Sequence, residues 1–366
     1  MTGSLIPHFG LARQYNNLKH ELLEATDLAL RDGCWVDGEY TRRFENWLEL
    51  RTGGGYALTV GSGTQALEFI ARFTAVSYKD MYGYYPTVFV PNITYPATLN
   101  AFLNAGFNVE LADTDRNGLL DCNRLDYDSS PYAFLCQVGL YGATPMLNTR
   151  ATGSTIVDGA QHWLNSNGVY GFGMAISFDP TKNLPSSGNG GAIITYDDEM
   201  YKWIKEYRNN GKQSHNTAGT NSRMSEQDCA QILVRTKYID QWQSRRKQIR
   251  EYYLDRFKNL NDIRCLSSGF VEHSDQKFVI YSTERDALSN YLQSMGIEVK
   301  IHYGYTLGEL PIAATLKKPS FLSTSYMLTR GVLSLPIYPE LTDSEIEYIA
   351  DNVLVFFMKR RTSKKV

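Results

Sequence analysis

Three short constellations hold residues whose types and order could do chemistry together. Val60-Gly61-Ser62-Gly63-Thr64 closes an apolar run and opens a helical pattern near Gln65. Glycines permit a tight turn there, and the N–H groups of a helix start, aided by the Ser62 and Thr64 hydroxyls, form a seat for an anion such as phosphate. The GK[ST] ending of a P-loop and the GxGxxG spacing of a dinucleotide turn are both missing, and a plain strand-to-helix turn is the competing reading. Ile156-Val157-Asp158-Gly159-Ala160-Gln161 brings a carboxylate to the end of an apolar run, where open α/β sheets place their ligands. Such an aspartate also commonly caps the next helix. Ile176-Ser177-Phe178-Asp179-Pro180-Thr181-Lys182 puts a lysine between two apolar runs, and Gly188-Asn189-Gly190-Gly191 beyond it leaves room for a flat ligand. A loop lysine is ordinarily a solvated surface group. A lysine that forms a Schiff base, however, needs an electron sink, an acid partner for the sink's ring nitrogen and a seat for its phosphate. The chain offers these in order.

The elements that must position them are legible as short apolar or β-branched runs: 56–60, 87–90, 109–112, 132–138, 155–157, 174–178 and 192–196. Helical patterns lie between the first three, carried by Ala66, Leu67, Ile70, Phe73 and then by Ala97, Phe102, Leu103. Alternating β and α units imply an α/β fold with a mainly parallel sheet covered on both faces. From Met200 the pattern changes to long helices, with Cys229, Ile232, Leu233, Thr236 on one stripe and Trp242, Ile249, Tyr253, Phe257 on the next. A smaller α/β lobe follows, with strands expected at 278–281, 298–301 and 332–335 and a helix over 285–295. Thr342-Asp343-Ser344-Glu345 opens a final amphipathic helix carrying Ile346, Ile349, Ala350, Val353 and Phe357. The division is thus 1–240 for the large lobe with its N-terminal segment and 241–366 for the linking helix and small lobe.

Composition narrows the function class. The chain has 366 residues, 37 Lys+Arg against 39 Asp+Glu and a net charge of −2. That balance offers no broad positive surface for nucleic acid. With 43% hydrophobic and 21% charged residues it is ordinary globular material, unusual only in its 25 tyrosines, which are read mostly as packing and surface residues. No basic n-region or apolar h-region opens the sequence and no 18-residue apolar run occurs, so a cytoplasmic protein without membrane contact is expected. Cys34, Cys122, Cys136, Cys229 and Cys265 stand far apart, with neither a CxxC pair nor a zinc framework, so no metal is expected. The basic residues of 359–365 read as a solvated end.

The whole set of segments resembles the DegT/DnrJ/EryC1/StrS family of sugar aminotransferases, pyridoxal-phosphate enzymes of fold type I. The resemblance runs from Arg13-Gln14-Tyr15 and Phe44-Glu45 through Ser62-Gly63-Thr64, Thr94-Tyr95, Ala97-Thr98, Leu140-Tyr141-Gly142, Asp158 with Gln161 and Ser177-Phe178 with Lys182. It continues in Asn221, Arg223-Met224-Ser225-Glu226 and Leu333-Ser334-Leu335-Pro336. It implies a mostly parallel seven-stranded sheet in the large lobe. It also implies that Lys182 is the Schiff-base lysine and proton carrier, Asp158 the partner of the pyridinium nitrogen, and Tyr95 the residue stacked on the ring. Gln161 would lie near the ring hydroxyl, Ser62, Gly63, Thr64 and Ser177 would hold the phosphate, and Asn221 would reach the phosphate of a neighbouring subunit in a homodimer with shared sites. His302 and Tyr303 match a segment near the pocket mouth, although a histidine on a small-lobe strand is often structural.

These roles cohere physically. Opposite charges near 4 Å interact by about 4 kcal/mol at an effective dielectric of 20, enough to keep a ring nitrogen protonated at neutral pH. A lysine flanked by ring and phosphate would have its amine pulled towards neutrality, as an attacking amine requires. The resemblance implies transfer of an amino group from an amino acid, L-glutamate, to a keto group of a nucleotide-linked deoxysugar, by ping-pong chemistry through pyridoxamine phosphate. The alternatives are a sugar dehydratase, an inactive cofactor-binding paralogue, or an aminotransferase whose acceptor is an inositol-like ketone or modified nucleobase. Lys182 argues against the dehydratase branch, which carries His there. Asn189 and Asn210 depart from the family pattern, and the segments 115–132 and 161–173 are shorter than usual; these departures bear on the substrate.

Overall fold

The computed structural model describes residues 5–125, 133–145, 154–165, 171–216, 218–267, 269, 272–318 and 322–363. Two helices, α1 (Leu11–Arg31) and α2 (Glu39–Arg51), precede the alternating units and are not among the elements named from periodicity. Then come β1 (Tyr56–Val60), α3 (Gly63–Tyr82), β2 (Thr87–Pro91), α4 (Pro96–Ala105), β3 (Asn108–Ala112), β4 (Phe134–Val138), β5 (Thr155–Asp158), β6 (Gly173–Ser177) and β7 (Gly191–Thr195). The strands are buried along nearly their whole length, which is why they read as continuous apolar runs rather than alternating ones. They form one seven-stranded sheet in the order β1-β7-β6-β5-β4-β2-β3. The pairs β2/β3, β2/β4, β4/β5 and β5/β6 are parallel, whereas β7 runs antiparallel to both β6 and β1.

This topology fixes where the chemistry-bearing residues lie. The register pairs Val138 with Asp158, Asp158 with Ala175, Ser177 with Gly191 and Gly191 with Val60. Because β1 runs in the same sense as β6, the C-terminal ends of β1, β4, β5 and β6 share one edge of the sheet with the start of β7. The turn at 61–64, Asp158 and the loop holding Lys182 therefore project from one rim. Tyr132, expected to begin a strand, lies outside the described residues, as do Lys364 and Lys365 of the basic end.

Beyond β7 lie α5 (Asp198–Tyr207), α6 (Glu226–Thr236) and α7 (Ile239–Phe257). Ile239 and Trp242 of α7 join a core with Phe44, Leu48, Phe178, Cys229 and Ile232, whereas Ile249, Tyr253 and Phe257 join a second core. The expected division after 240 falls in the first turn of this helix. The second core is built from β8 (Arg264–Cys265), β9 (Phe278–Tyr281), α8 (Arg285–Ser294), β10 (Val332–Leu335) and α10 (Asp343–Ser363), around an antiparallel sheet ordered β10-β9-β8, while α9 (Ser323–Gly331) packs its Leu328 into the core of the large sheet. The reading of 342–345 as a capping box is met: Glu345 N donates to Thr342 Oγ1 at 3.2 Å and Thr342 N donates to Glu345 Oε2 at 3.0 Å.

The strand expected at 298–301 is not a ladder strand. Ile297 and Lys300 each make a single bridge, to Ile6 and Ser334. Ile6 N donates to Gly296 O and Glu298 N to Ile6 O, both at 2.9 Å, so the N-terminal segment takes the hydrogen bonds a neighbouring strand would have made. Helix α3 starts at Gly63, two residues before the expected Gln65, because Ser62 is its cap.

Candidate active site

A cavity of ≈ 420 Å³ opens at the rim of the large sheet, and its walls include Ser62, Gly63, Thr64, Tyr95, Asp158, Gln161, Ser177, Lys182, His302 and Tyr303. Asn221 is the one predicted site residue it leaves out. At the α3 end, Ser62 Oγ accepts from Gln65 N at 3.2 Å, an ordinary helix cap. The N–H groups of Gly63 and Thr64 have no acceptor among the described residues, so the helix start keeps two donors for an anion. A Cβ on Gly63 would stand 2.5 Å from Ser177 Cβ, so glycine is what lets this turn close on the end of β6. The turn thus caps its helix through Ser62 Oγ and keeps at Gly63 and Thr64 the N–H donors that an anion seat would need.

Asp158 ends β5 with its carboxylate in the cavity wall. Its Oδ2 accepts from Thr98 Oγ1 at 2.8 Å and its Oδ1 from Ala160 N at 3.2 Å. Burial raises this carboxyl above its ordinary value, against the pull of Thr98, Ala160 N–H and the Lys182 charge. Lys182 shows the mirror effect: burial lowers its amine, while Asp158 and Asp179 oppose. Each charge would be uncomfortable alone, and their sharing of one cavity moderates both.

The loop holding Lys182 is pinned on both sides. Lys182 N donates to Asp179 O and Thr181 N to Asp179 Oδ1, both at 2.9 Å. From the small lobe, Gln276 Nε2 donates to Thr181 O at 2.8 Å and Ser274 O accepts from Asn183 Nδ2 at 2.6 Å. The same segment reaches the β5 loop, where Ser274 Oγ donates to Gln161 O. Gln161 Oε1 in turn accepts from Tyr141 N at 2.7 Å, holding Tyr141 at φ +64°, a conformation a side chain rarely adopts.

At the mouth, Tyr95 is 58% exposed and its ring lies 6.1 Å from that of Tyr303. Tyr303 bonds to Gln161, and burial pushes its hydroxyl above the ordinary tyrosine range. His302 Nδ1 pairs with Ser334 Oγ at 2.8 Å and its carbonyl accepts from Tyr141 Oη at 2.5 Å; burial first and Lys277 next take the ring down to about 2. Asn221 lies on the surface, bridged to Asn209, and its Oδ1 accepts from Arg223 Nη2 at 3.1 Å. Of the two departures from the family pattern, Asn189 lines the cavity and Asn210 does not.

Residue reading missed Lys277 and Phe9, which also line the cavity, and the docking role of 273–277. The only signal was a lysine placed directly before the apolar run at 278–281. What the site can do follows from its parts: the open N–H donors of the α3 start, a buried carboxylate and a depressed amine lining one cavity. The unfilled N–H donors, the Gly63 contact and the facing Asp158 and Lys182 fit pyridoxal phosphate, whose phosphate, ring nitrogen and aldehyde need those three groups.

The model of the DegT/DnrJ/EryC1/StrS aminotransferase family matches residues 16–125 and 150–354. The chain is 29% identical over 366 residues to a dTDP-3-amino-3,4,6-trideoxy-alpha-D-glucose transaminase of Streptomyces venezuelae, covering 95% of each chain. It is 26% identical over 363 residues to a UDP-N-acetyl-3-dehydro-alpha-D-glucosamine 3-aminotransferase of Acidithiobacillus ferrooxidans, covering 94% of this chain and 96% of the other. Among solved structures, S. venezuelae DesV in complex with a ketimine intermediate superposes with a TM-score of 0.87 at 27% identity, covering 96% of this chain and 98% of that one.

Proposed function

This chain belongs to the DegT/DnrJ/EryC1/StrS aminotransferase family, and from that premise we propose that it is a pyridoxal-phosphate-dependent aminotransferase acting on nucleotide-linked keto-deoxysugars. L-glutamate is the proposed amino donor, and the two substrates take turns in a ping-pong cycle. The observation that carries this reading is the convergence of the Lys182 amine, the Asp158 carboxylate and the open start of α3 on one cavity. The transaminase names of the relatives support the sugar-nucleotide class.

When bound, pyridoxal phosphate supplies an aldehyde carbon that exchanges amines and a ring that delocalises the electrons released when a proton leaves the neighbouring carbon. The chain supplies the rest. Ser62, Gly63, Thr64 and Ser177 hold the phosphate, and Tyr95 covers the ring at the mouth. Asp158, kept in place by Thr98 and Ala160 N–H, holds a proton on the ring nitrogen by its charge. Lys182, its amine lowered by burial against the pull of Asp158 and Asp179, is the group placed to take and return a proton. Gln161 orients the ring hydroxyl, and His302 and Tyr303 face the sugar. Residues 1–240 carry the cofactor and 241–366 close over the substrate. Asn221, which does not line the cavity of its own chain, serves the phosphate site of a second subunit, so the working unit is a homodimer, acting in the cytoplasm.

The test is to incubate the purified protein and pyridoxal phosphate with L-glutamate and a panel of dTDP- and UDP-linked 3-keto and 4-keto sugars, following 2-oxoglutarate and the aminated sugar. Stoichiometric release of both is expected with at least one sugar. Turnover with a non-sugar carbonyl alone, or dehydration without amino transfer, would contradict the proposal.

A further inference from the structure

The cavity holds a second lysine that the roles above do not use. Lys277 is only 5% exposed, stands just before β9 and has its backbone fixed by donation from Lys277 N to Tyr141 O at 3.0 Å. Its side chain lines the same cavity as Lys182. The amine makes no hydrogen bond or ion pair among the described residues, and its contact is the Phe9 ring, 5.3 Å from Nζ to centroid. Its charged neighbours make matters worse: among the described residues Lys182 and Arg246 repel it and Asp179 attracts it. His8 and His302 both feel it as a repelling charge. Asp179 already gives its Oδ1 to Thr181 N and Thr181 Oγ1, and the Arg246 guanidinium, which only donates, offers the amine no acceptor.

A buried ammonium without an acceptor is unfavourable unless an anion arrives to pair with it. We propose that Lys277 binds the α-carboxylate of the donor amino acid, an assignment that rests on the aminotransferase reading. Three considerations select that anion. The carbon that gives up its proton to Lys182 also bears the α-carboxylate, so this group must lie close to the Lys182 amine, as Lys277 does. The cofactor phosphate has its own seat, at the start of α3. A keto-sugar presents neutral hydroxyls at its reacting end and carries its diphosphate several bonds away. Phe9, whose ring lies 5.3 Å from Lys277 Nζ, lines the same cavity and supplies no acceptor that would compete with the carboxylate.

The test separates the two half-reactions on cofactor-loaded protein, read by the cofactor's absorbance in single turnovers. Lys277→Met keeps the stem and removes the charge. It is expected to lower kcat/KM for L-glutamate and for L-alanine alike, by on the order of 100-fold and mainly through KM, because the α-carboxylate is the anionic group that both donors share. The acceptor half-reaction with a keto-sugar nucleotide should be unchanged, and Lys277→Arg should recover part of the loss. Calorimetric binding of glutarate, which cannot react, should weaken in parallel. A loss confined to L-glutamate would place the contact at the distal carboxylate and overturn the proposal. A loss confined to the acceptor half-reaction would give Lys277 to the sugar, and equal loss of both with loss of cofactor would make it structural. If the wild-type protein takes no amino group from either donor, the aminotransferase reading itself falls; if it does and Lys277→Met matches it, only this proposal falls.

Discussion

Asp158 and Lys277 show how a site can be assembled from groups that burial disfavours. Asp158→Asn preserves the shape and the hydrogen bond from Thr98 but removes the charge. Turnover should then fall by about 100-fold or more while cofactor affinity changes far less, a split read from single-turnover rates against a cofactor titration. Lys277 makes a prediction about stability. Its amine is lowered well below the ordinary 10.5, so between the lowered value and 10.5 the unfolded chain binds more protons than the folded one. Stability gained through this residue therefore rises with pH across that window. Lys277→Met should melt at a higher temperature than wild type near neutral pH, with the difference shrinking as pH approaches 10.5. An unchanged or lower melting temperature near neutrality would show that the buried amine is compensated after all. These two residues were unequally legible in sequence. Asp158 ends an apolar run, a position with a known chemical meaning, whereas Lys277 acquires its meaning only when the segment 273–277 crosses from one lobe to the other.

At the scale of elements, the turn from β1 into α3 does two jobs with three residues. Ser62 caps the helix, and Gly63 gives up its side chain so that β6 can approach. Ser62→Ala should destabilise the fold by about 1 kcal/mol, seen in a denaturant titration. Gly63→Ala should instead weaken cofactor binding at least tenfold, on the order expected when a Cβ forces a phosphate seat apart, with a smaller effect on folding. Equal cofactor affinity in wild type and Gly63→Ala would contradict the seat. The strands were readable because a parallel sheet buried on both faces writes unbroken apolar runs. The helix start was misread by two residues because a cap and an anion seat use the same residue types. The strand expected at 298–301 failed for a different reason: its hydrogen bonds are split between Ile6 of the N-terminal segment and Ser334 of β10, and no local pattern announces contacts so distant in the chain. Helices α1 and α2 pack with the core around Phe44 and Phe178 but lack a motif that does chemistry.

For the whole molecule, the question is what completes the site. Asn221 is held away from the cavity by its bridge to Asn209 and by Arg223, whose Nη1 also reaches Asp37 Oδ2 at 3.0 Å. Trp35 and Val36, next to Asp37, are 61% and 41% exposed. In the proposed homodimer Asn221 would serve the phosphate site of the partner subunit. Mixing Lys182→Ala subunits with Asn221→Asp subunits should then restore one working site per mixed dimer, because one chain supplies the lysine and the other the asparagine. Mixtures no more active than either parent would place Asn221 in its own subunit. The account as a whole depends on Lys182 bonding to the cofactor while Lys277 does not. Borohydride reduction of the cofactor-loaded protein, followed by mass mapping of its peptides, should find the pyridoxyl group on Lys182; an unlabelled Lys182, or a label on Lys277, would contradict the account.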